Sequence, residues 1–463
     1  MAQVLFDLHK QYGDIVRIGP NELHFGRPSA FHEIYNAARR WDKDEALYGT
    51  PGIRSGSFVL LKYHHAKERR NVLQPMFSKK AILNIEYLVW RNVSKESMLL
   101  LLIKLTIQAK HLVSSMTNIN AAGQSVDLLY AFRSFTLDTI MCFTFGTCMG
   151  ALNSPGFADP LIVAMNSSLR ALPILKNFPL IRKIAYSIPH RWMMKMLPGS
   201  KSLAPRIYHV WAIIQDQLDQ ILQDPRKLDE APHQTIFHQM LNPEAHRSKS
   251  LPNHDELQEE GVTLIFAGAS TVADAILIGH WHLLNQPKLL RRLKSEVLAV
   301  WPDISSPPSL EDLETLPLLT ATIKESLRHI PSGVSLTRVV PSSGAMISGQ
   351  KIPAGAIVGM AILHVHFSEE KFKDPLSFTP DRWLEQPDSA NLDHWLVPFS
   401  RGPRMCFGTN LAWCELYIAF ATTIRQFDMA IDGTTPQDME WRECIAAYYP
   451  RRHLHAWCQP TIP

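Results

Sequence analysis

Apolar residues recur at helical spacing along the chain, and the longest such segments lie in its second half. Asp255–Asn285 contains no proline and predicts a helix of more than ~25 residues, longer than most helices of globular proteins. Lys288–Trp301 carries apolar residues at positions 289, 290, 293 and 297, the pattern of an amphipathic helix. Asn410–Phe427 predicts another apolar helix. A helix as long as the first usually runs through the middle of a large domain.

Strand patterns are short and few. Ile15–Ile18 and Leu23–Phe25 predict two strands around a Gly-Pro-Asn turn, and Val334–Met360 predicts several more, broken by glycine and proline. Leu99–Ser115 is rich in leucine and isoleucine and has no acid, which fits a buried helix without assigning it a role. The sequence therefore predicts a mainly α protein with small β-sheets, forming a single domain over residues 1–463.

Composition sets limits on the function. The 463 residues are 46% hydrophobic and 19% charged, which is typical of a globular chain with a large core. The net charge of +4, from 47 basic and 43 acidic residues, is too small to indicate a nucleic-acid partner. The six cysteines include no C-x-x-C pair, so neither a zinc ribbon nor a disulfide framework is predicted. No apolar run reaches the ~18 residues of a membrane span, and no transmembrane segment is expected.

The segment with the sharpest chemical signal is Phe399-Ser-Arg-Gly402-Pro-Arg404-Met-Cys406-Phe-Gly408. A cysteine stands between two glycines, directly before an apolar helix whose N-terminal N–H groups favour a thiolate. The glycines allow a sharp turn and a close approach of the backbone, and Arg404 adds a cation. A thiolate in a dry loop suits iron, whereas a lone cysteine in a glycine-rich turn is more often a small core residue.

This pattern, F-x-x-G-x-R-x-C-x-G, resembles the haem-binding loop of the cytochrome P-450 family, the haem-thiolate monooxygenases, at every fixed position. The resemblance implies the cytochrome P-450 fold, with haem b between the long central helix and the helix after the cysteine loop. It implies that Cys406 is the thiolate ligand of the haem iron and that Arg404 binds a propionate. Phe399, Gly402 and Gly408 then form the rest of the cofactor-binding loop. A thiolate ligand favours cleavage of the O–O bond.

Glu325 and Arg328 lie three residues apart on a predicted helix and can pair on one face. Taken alone, such a pair is usually a solvated surface pair. The cytochrome P-450 family has an E-x-x-R pair in this place, joined by an arginine from a later segment that resembles Phe378-Thr-Pro-Asp-Arg382-Trp. The resemblance implies a buried structural network of Glu325, Arg328 and Arg382 behind the haem. It also makes Arg338, on the strand that follows, a second propionate ligand.

The upstream segment Lys67-Glu-Arg-Arg70, followed by a proline five residues later, resembles the W/H-x-x-x-R helix of the family. Counting back from the proline makes Arg70 the haem-binding arginine, with Ala66 in the place of the aromatic residue or histidine. His65 and Arg69 fit the same spacing one position earlier, so the register stays open. A surface arginine is the alternative for Arg70.

Within the long helix, Phe266-Ala267-Gly268-Ala269-Ser270-Thr271 is rich in small and hydroxyl residues. A close helix crossing would explain them, and so would a kink that leaves room for a ligand. The segment resembles the oxygen-binding A/G-G-x-D/E-T site of the family. The resemblance implies that Ala267 and Gly268 form the groove over haem and that Thr271 is catalytic, binding dioxygen and helping to deliver protons. Ser270, also catalytic, replaces the usual acid, and a hydroxyl relays a proton without supplying charge.

Histidines separated by one residue occur at three places and are set aside as metal ligands: His364-Val-His366, His280-Trp-His282 and His453-Leu-His455. Residues two apart on a helix point in different directions, which makes His280 and His282 a poor chelate. The pair His364 and His366 resembles a family segment with no metal role, and two histidines alone leave a zinc site short of ligands. We therefore predict structural or surface roles for these pairs.

By resemblance, four segments line the substrate pocket: the loop near Tyr48–Leu61, the helix face Leu264–Thr271, the stretch Pro331–Leu336 and the region near Ala446–Tyr449. Their apolar residues, tyrosine and serine suit an apolar substrate with few polar groups. The extended cysteine loop, F-S-R-G-P-R-x-C-F-G-T-N-L-A, looks most like fungal members that act on secondary metabolites. Terpenoids or polyketides are therefore the expected substrates.

The resemblance implies a monooxygenase that uses O2 and electrons from an NADPH-cytochrome reductase, since no flavin or nicotinamide motif is visible. It implies a monomer at the cytosolic face of the endoplasmic reticulum membrane. We expect this sequence, which starts at the first helix of the catalytic domain, to lack the membrane anchor and to be soluble by itself. Ser270 leaves open a reductase-independent haem-thiolate isomerase or dehydratase. An inactive haem-binding relative is a third reading, against which Thr271 argues.

Overall fold

The computed structural model describes residues 2–89, 108–187, 203–231, 233–331, 335–384 and 388–461. Its α-helices are α1 (Ala2–Tyr12), α2 (Pro28–Ile34), α3 (Glu45–Tyr48), α4 (Tyr63–Leu73), α5 (Lys79–Val89), α6 (Gln108–Ala121), α7 (Leu128–Phe145), α8 (Pro160–Ser168), α9 (Leu172–Asn177), α10 (Pro179–Ser187), α11 (Leu203–Gln223), α12 (Arg226–Asp229), α13 (Ile236–Met240), α14 (His254–Leu284), α15 (Pro287–Val300), α16 (Leu310–Glu314), α17 (Pro317–Arg328), α18 (Ile362–His366), α19 (Asp388–Trp395) and α20 (Thr409–Gln426).

The β-strands are β1 (Ile15–Gly19), β2 (Glu22–Phe25), β3 (Val126–Asp127), β4 (Arg338–Val339), β5 (Ala345–Ile347), β6 (Gln350–Ile352), β7 (Ile357–Gly359), β8 (Phe427–Ile431), β9 (Arg442–Cys444), β10 (Ala446–Tyr448) and β11 (His455–Pro460). Short 3-10 helices are Gln74–Phe77, Ala151–Asn153, Pro155–Phe157, Leu169–Ala171, Pro243–Ala245, Pro380–Trp383 and Gly402–Arg404. The mainly α architecture with small sheets is the one that the sequence predicts.

The 31-residue helix α14 forms the buried centre of the larger core. It begins with a capping box, in which Asn253 and Glu256 each accept a hydrogen bond from the other's backbone N–H at 2.9 Å. Gly268 lets α7 come close, because a Cβ at this position would lie 2.6 Å from the side chain of Ile140. The predicted long central helix is thus confirmed, and a neighbouring helix packs along it.

By length and hydropathy α14 could cross a membrane, which corrects the expectation that no segment of the chain is apolar enough. In the structure, 72% of its most apolar 18-residue window is buried inside the protein. Its apolar surface is therefore covered by protein packing, as in the core helix of a large domain.

The strands of the described chain form a four-stranded sheet in the order β1-β2-β7-β4, a three-stranded sheet β3-β11-β8 and the ribbons β5-β6 and β9-β10. β1 and β2 form the predicted antiparallel hairpin, and β2 pairs in parallel with β7. A second apolar core, which includes Phe25, Phe31 and Val358, packs on the four-stranded sheet. The sheet thus joins the N-terminal hairpin to the segment that leads toward the cysteine loop.

The described part of Leu99–Ser115 lies in α6, in line with a helix, and residues 99–107 lie outside the described residues. Cys142 and Cys148 are joined as a disulfide, with Cα atoms 4.6 Å apart, whereas the sequence suggested no disulfide framework. Gly146, at a φ of +78°, ends α7 and turns the chain back. This turn brings Cys148 beside Cys142, which cysteine spacing alone does not reveal.

Candidate active site

The cysteine loop, residues 399–408, is closed by a hydrogen bond from the N–H of Cys406 to the carbonyl of Phe399 at 2.9 Å. Gly402 has a φ of +74°, and a Cβ there would lie 2.5 Å from the carbonyl oxygen of Tyr35. The conformation and the close contact both require glycine. The loop therefore presents Cys406 as a free, exposed cysteine just before α20.

The surroundings of the Cys406 thiol shift its pKa in opposite directions. Protein atoms crowd the sulfur of this exposed residue and raise its pKa by desolvation, while the N–H of Gly408 and the charge of Arg70 lower it. α20 starts at Thr409 with no side-chain cap, so its first N–H groups stay available, as predicted. The net pKa is raised, so the thiol needs a further cation to ionise, and a metal ion is such a cation.

Arg404 does not supply the charge beside Cys406 that the sequence suggested. It donates to the carbonyls of Leu60 at 2.9 Å and Leu61 at 2.7 Å. Burial, and then the charge of Arg338, lower the pKa of Arg404 to about 10. Arg338 is buried and donates to the hydroxyl of Tyr48 at 3.0 Å. None of the ion pairs among the described residues includes either guanidinium.

Lys43 is a further cation at this place, outside the residues predicted from the sequence. The residue is 7% exposed and donates to the carbonyl of Phe58. Its ammonium lies 4.2 Å from the ring centroid of Tyr48 and 4.6 Å from that of Phe58. Burial lowers its pKa well below the ordinary value of a lysine, and the charges of three arginines lower it further: Arg338, Arg404 and Arg70. Lys43 belongs to no sequence motif, so no local signal could have found it.

We call the four residues the cation cluster: Lys43, Arg70, Arg338 and Arg404. Buried like charges are costly unless anions compensate them. The cluster adjoins the cysteine loop, because Arg70 donates to the carbonyl of Met405 at 2.6 Å. A haem b carries two carboxylates together with an iron that takes a thiolate. The residues present therefore fit this cofactor: the cation cluster would hold the propionates and Cys406 would hold the iron.

The structure separates the two arginines of the α4 segment whose register the sequence left open. Arg70 faces the cysteine loop. Arg69 forms a buried ion pair with Glu260 of α14, with an N–O distance of 3.0 Å. His65 is exposed on the same helix. The register with Arg70 toward the haem site is the one that the geometry supports.

The predicted oxygen-binding segment of α14 presents only some of its residues to the open side of the helix. Ala267 and Thr271 are exposed one turn apart, and the Thr271 hydroxyl donates to the carbonyl of Ala267 at 3.1 Å. Ser270 is buried, so its hydroxyl lies off that face. Gly268 makes room for Ile140 of α7, which is the close helix crossing considered above. Packing and ligand access therefore use different residues of the segment.

Glu325 and Arg328 are fully buried at the centre of a polar network. Nη2 and Nε of Arg328 lie 2.7 and 3.0 Å from the two carboxylate oxygens of Glu325. Nε of Arg382 lies 3.2 Å from Oε1 of the same carboxylate. The indole N–H of Trp383 and the backbone N–H of Thr379 also donate to it, at 2.8 and 2.9 Å. The predicted three-residue network is present, and Trp383 and Thr379 are members that sequence reasoning missed.

The network ties the chain before the cysteine loop to α17. Burial by itself would raise the pKa of Glu325, but Arg328, which donates to its carboxylate, and the neighbouring His329 lower that pKa overall. Arg328 also donates to the carbonyls of His366 at 2.8 Å and Ser377 at 3.1 Å. These bonds position residues 366–383 without any cofactor.

Two adjacent glutamates hold the loop before α4, part of the predicted pocket segment Tyr48–Leu61, against α14. Glu259 accepts hydrogen bonds from the N–H groups of Arg54 and Ser55, at 2.9 and 2.6 Å. Glu260 accepts one from the N–H of Ser57 at 2.9 Å. Neither glutamate belongs to a motif, so no local signal marks this anchor in the sequence.

The other pocket segments are placed as follows. Leu264–Thr271 lies within α14, and Ala446–Tyr449 overlaps β10, after which Tyr449 is buried. In Pro331–Leu336, residues 332–334 lie outside the described residues. The role of these segments in substrate binding stays a prediction.

The family model described as Cytochrome P450 matches residues 1–453. The cytochrome P450 monooxygenase macH of Penicillium terrestre is 32% identical over 454 residues, covering 97% of this chain and 85% of that protein. The cytochrome P450 monooxygenase flvC of Aspergillus flavus is 31% identical, covering 99% and 86%. The conidiogenone synthase PchP450 of Penicillium rubens is 30% identical, covering 93% and 82%.

The residues of the site and the comparisons with known proteins thus both indicate a haem-thiolate protein. The chain belongs to the cytochrome P450 family, and it is an oxidoreductase whose haem iron is bound by a cysteine. The predicted fold and cofactor are thereby confirmed.

Glu325→Gln keeps the shape of the side chain but leaves Arg328 buried without its counter-charge. We expect the free energy of unfolding to fall by about 3–5 kcal/mol, measured by urea titration of the haem-loaded protein. The matched control is Asp381→Asn, the same chemical change in the exposed Arg292–Asp381 pair, whose N–O distance is 2.7 Å. It should cost about 1 kcal/mol or less. Equal losses in the two variants would contradict a central role for the network.

Lys43→Met removes one charge from the cation cluster at similar side-chain length. Because the cluster is repulsive without anions, we expect the apoprotein to melt at a higher temperature. We nevertheless expect haem to dissociate at least about tenfold faster, because one hydrogen bond to a charged group is lost. The dissociation rate is measured by the transfer of haem to apomyoglobin. The control is Lys62→Met, which removes an exposed lysine paired with Asp42. Unchanged haem release with a less stable apoprotein would show that Lys43 serves packing alone.

Proposed function

We propose that this protein is a haem-dependent monooxygenase that oxidises an apolar secondary metabolite of the terpenoid or polyketide class with O2 and reductase-supplied electrons. The observation that carries the proposal is the exposed Cys406 beside the cation cluster, because together they suit haem iron and its propionates. Two of the three fungal relatives above are named monooxygenases. We propose that residues 1–463 act as one domain and as a monomer, with an NADPH-cytochrome reductase as electron donor.

Cys406 is the proposed iron ligand. Of the free cysteines in the described part of the chain it alone is exposed, and the others are buried: Cys414, Cys444 and Cys458. Haem held through a thiolate supplies the activation of O2. Phe399, Gly402 and Gly408 shape the loop that holds the sulfur, and the cation cluster binds the propionates. The Glu325, Arg328 and Arg382 network supports this site from behind.

Thr271 is the proposed proton-delivering group, because its hydroxyl lies on the open face of α14 next to Ala267. Ser270 is the proposed second hydroxyl of the relay. Since it is buried, it reaches that face only through a water molecule or through Thr271. Gly268 contributes by fixing the distance between α14 and α7.

The function is tested on the haem-loaded protein in two measurements. The reduced protein with carbon monoxide should show the red-shifted band of thiolate-ligated haem, and Cys406→Ala should lose it while Cys444→Ala, a buried-cysteine control, keeps it. With reductase and NADPH, Thr271→Ala should release several-fold more hydrogen peroxide per NADPH than the parent, and Ser270→Ala should release less than Thr271→Ala.

A thiolate band that survives in Cys406→Ala would overturn the ligand assignment. Product formation from an oxygenated substrate without reductase would replace the monooxygenase by the isomerase or dehydratase alternative. Peroxide release that is the same in Thr271→Ala and the parent would remove the relay role of Thr271.

We further propose that the protein works at the cytosolic face of the endoplasmic reticulum membrane. Four apolar side chains on and next to α10 are between 48% and 70% exposed: Phe178, Leu180, Ile181 and Ile184. A contiguous apolar face of this kind is typical of membrane-surface contact.

The membrane proposal is tested by sedimentation with phosphatidylcholine–phosphatidylserine vesicles. Leu180→Ser combined with Ile184→Ser should lower the bound fraction at least about twofold, because it removes apolar area that would enter the interface. Leu376→Ser, which changes a leucine that is 74% exposed elsewhere, is the control. Equal binding of the parent and both variants would contradict this face as the contact.

A further inference from the structure

Three histidines from separate segments meet beside the four-stranded sheet, away from the cysteine loop in sequence. They are His9 of α1, His24 of β2 and His364 of α18. One ring nitrogen from each lies within 4.8 Å of the other two. In the sequence, His364 has only His366 as a nearby histidine, and two histidines leave a zinc site short of ligands. The fold instead supplies two partners from the N-terminal end of the chain.

The proton positions of His9 and His24 follow from their backbone partners. The N–H of Ala361 donates to Nε2 of His24 at 3.1 Å, so neutral His24 carries its proton on Nδ1. That proton is donated to Nε2 of His9 at 2.7 Å. Nδ1 of His9 then donates to the carbonyl of Gly13 at 2.7 Å. Nε2 of His9 therefore carries no proton, and its electron pair points at the cluster.

His364 has no comparable partners. It is 4% exposed, and its ring stacks on Phe6 with centroids 4.0 Å apart. Neither ring nitrogen has a hydrogen bond of normal geometry, although the carbonyl of Leu5 lies near enough to raise its pKa. By contrast, both ring nitrogens of His366 are bonded, to Arg328 and Val397. With the Leu5 carbonyl near one ring nitrogen, at least the other is open, and such a buried imidazole beside two other histidines indicates a missing partner.

The charge state of the cluster suits a cation. Burial, together with the charges of neighbouring histidines, lowers the pKa of His24 to about 2 and that of His364 to about 3. Burial also lowers the pKa of His9, against the opposing charge of Asp14. At neutral pH all three rings are neutral, which is the form that binds metals.

We propose that His9, His24 and His364 bind one divalent transition-metal ion of the zinc class through three ring nitrogens. Imidazole selects zinc and its neighbours over magnesium or calcium. His9 is only partly buried, so the cluster reaches solvent on this side, from which a water molecule would supply the fourth ligand. Its bond to Gly13 is the outer contact that orients a metal-binding histidine.

Binding has a local cost that sets the expected strength. Coordination through Nδ1 moves the proton of His24 to Nε2, so the hydrogen bond from Ala361 is given up and the bond to His9 is replaced by the ion. The site should therefore be weaker than a preorganised zinc site. A bound ion would join α1, β2 and α18, and so stabilise the N-terminal helix on the sheet.

The test uses haem-loaded protein, so that Cys406 is occupied, and Zn2+ itself as probe. Equilibrium dialysis with elemental analysis should find one zinc per chain in the parent. His9→Gln and His364→Phe should each weaken binding at least about tenfold, because each removes a direct ligand. His64→Gln, which changes an exposed histidine on α4, is the control and should bind as the parent does. X-ray absorption at the zinc edge should show nitrogen ligands at about 2.0–2.1 Å.

His9→Gln keeps the proposal falsifiable if His364→Phe fails to fold, because His9 is partly exposed. Zinc should raise the melting temperature of the parent and of His64→Gln but not that of His9→Gln. Zinc binding that is equal in the parent and His9→Gln, or no stoichiometric binding in the parent, would overturn the proposal and leave a purely hydrogen-bonded cluster. The carbon monoxide spectrum should be the same in all these proteins, which separates this test from that of the haem function.

Discussion

Repulsion among four cations, two of them buried and two partly buried, is the constraint on which the arrangement around the cysteine loop depends. The four residues of the cation cluster come from distant parts of the chain: Lys43, Arg70, Arg338 and Arg404. The charges of the three arginines lower the pKa of Lys43. Backbone carbonyls, a tyrosine hydroxyl and aromatic faces satisfy their hydrogen bonds without cancelling their charge. The folded chain is therefore complementary to an anionic cofactor, and haem binding and stability are linked through these charges.

The Glu325 network differs from the cation cluster because it contains a buried anion together with its cationic partners. One buried carboxylate accepts hydrogen bonds from two arginines, an indole and a backbone N–H, so the negative charge and the hydrogen-bonding capacity of Glu325 are both met inside the protein. Such a network is costly to break but does not depend on a ligand. Because Arg328 also binds the carbonyls of His366 and Ser377, it sets the path of the chain toward the cysteine loop. The fixed scaffold and the cofactor-dependent charge cluster are thus separate parts of one site.

Sequence reasoning succeeded where the determining residues are close together in the chain. The period of the long helix α14, the β1–β2 hairpin and the contiguous Cys406 loop all carry local signals. The E-x-x-R pair was ambiguous alone, and its meaning came from the order of motifs. Lys43, the Glu259 anchor and the Cys142–Cys148 disulfide could not be predicted, because each depends on contacts that only tertiary packing creates. The grouping of His9 with His364 has the same origin.

Ser270 stands where the family usually has an acid, and the cost of burying a charge explains why a hydroxyl suits this position. Two acids of the same helix are buried, and each has its own arginine: Glu260 pairs with Arg69 at 3.0 Å and Asp274 with Arg133 at 3.1 Å. Even so, burial raises the pKa of Glu260, and it raises that of Asp274 to about 6. An acid at the buried Ser270 position would face the same desolvation while these two arginines are already engaged. A serine avoids that cost and keeps a hydroxyl one residue from Thr271, the residue that we propose for proton delivery, while α14 stays intact.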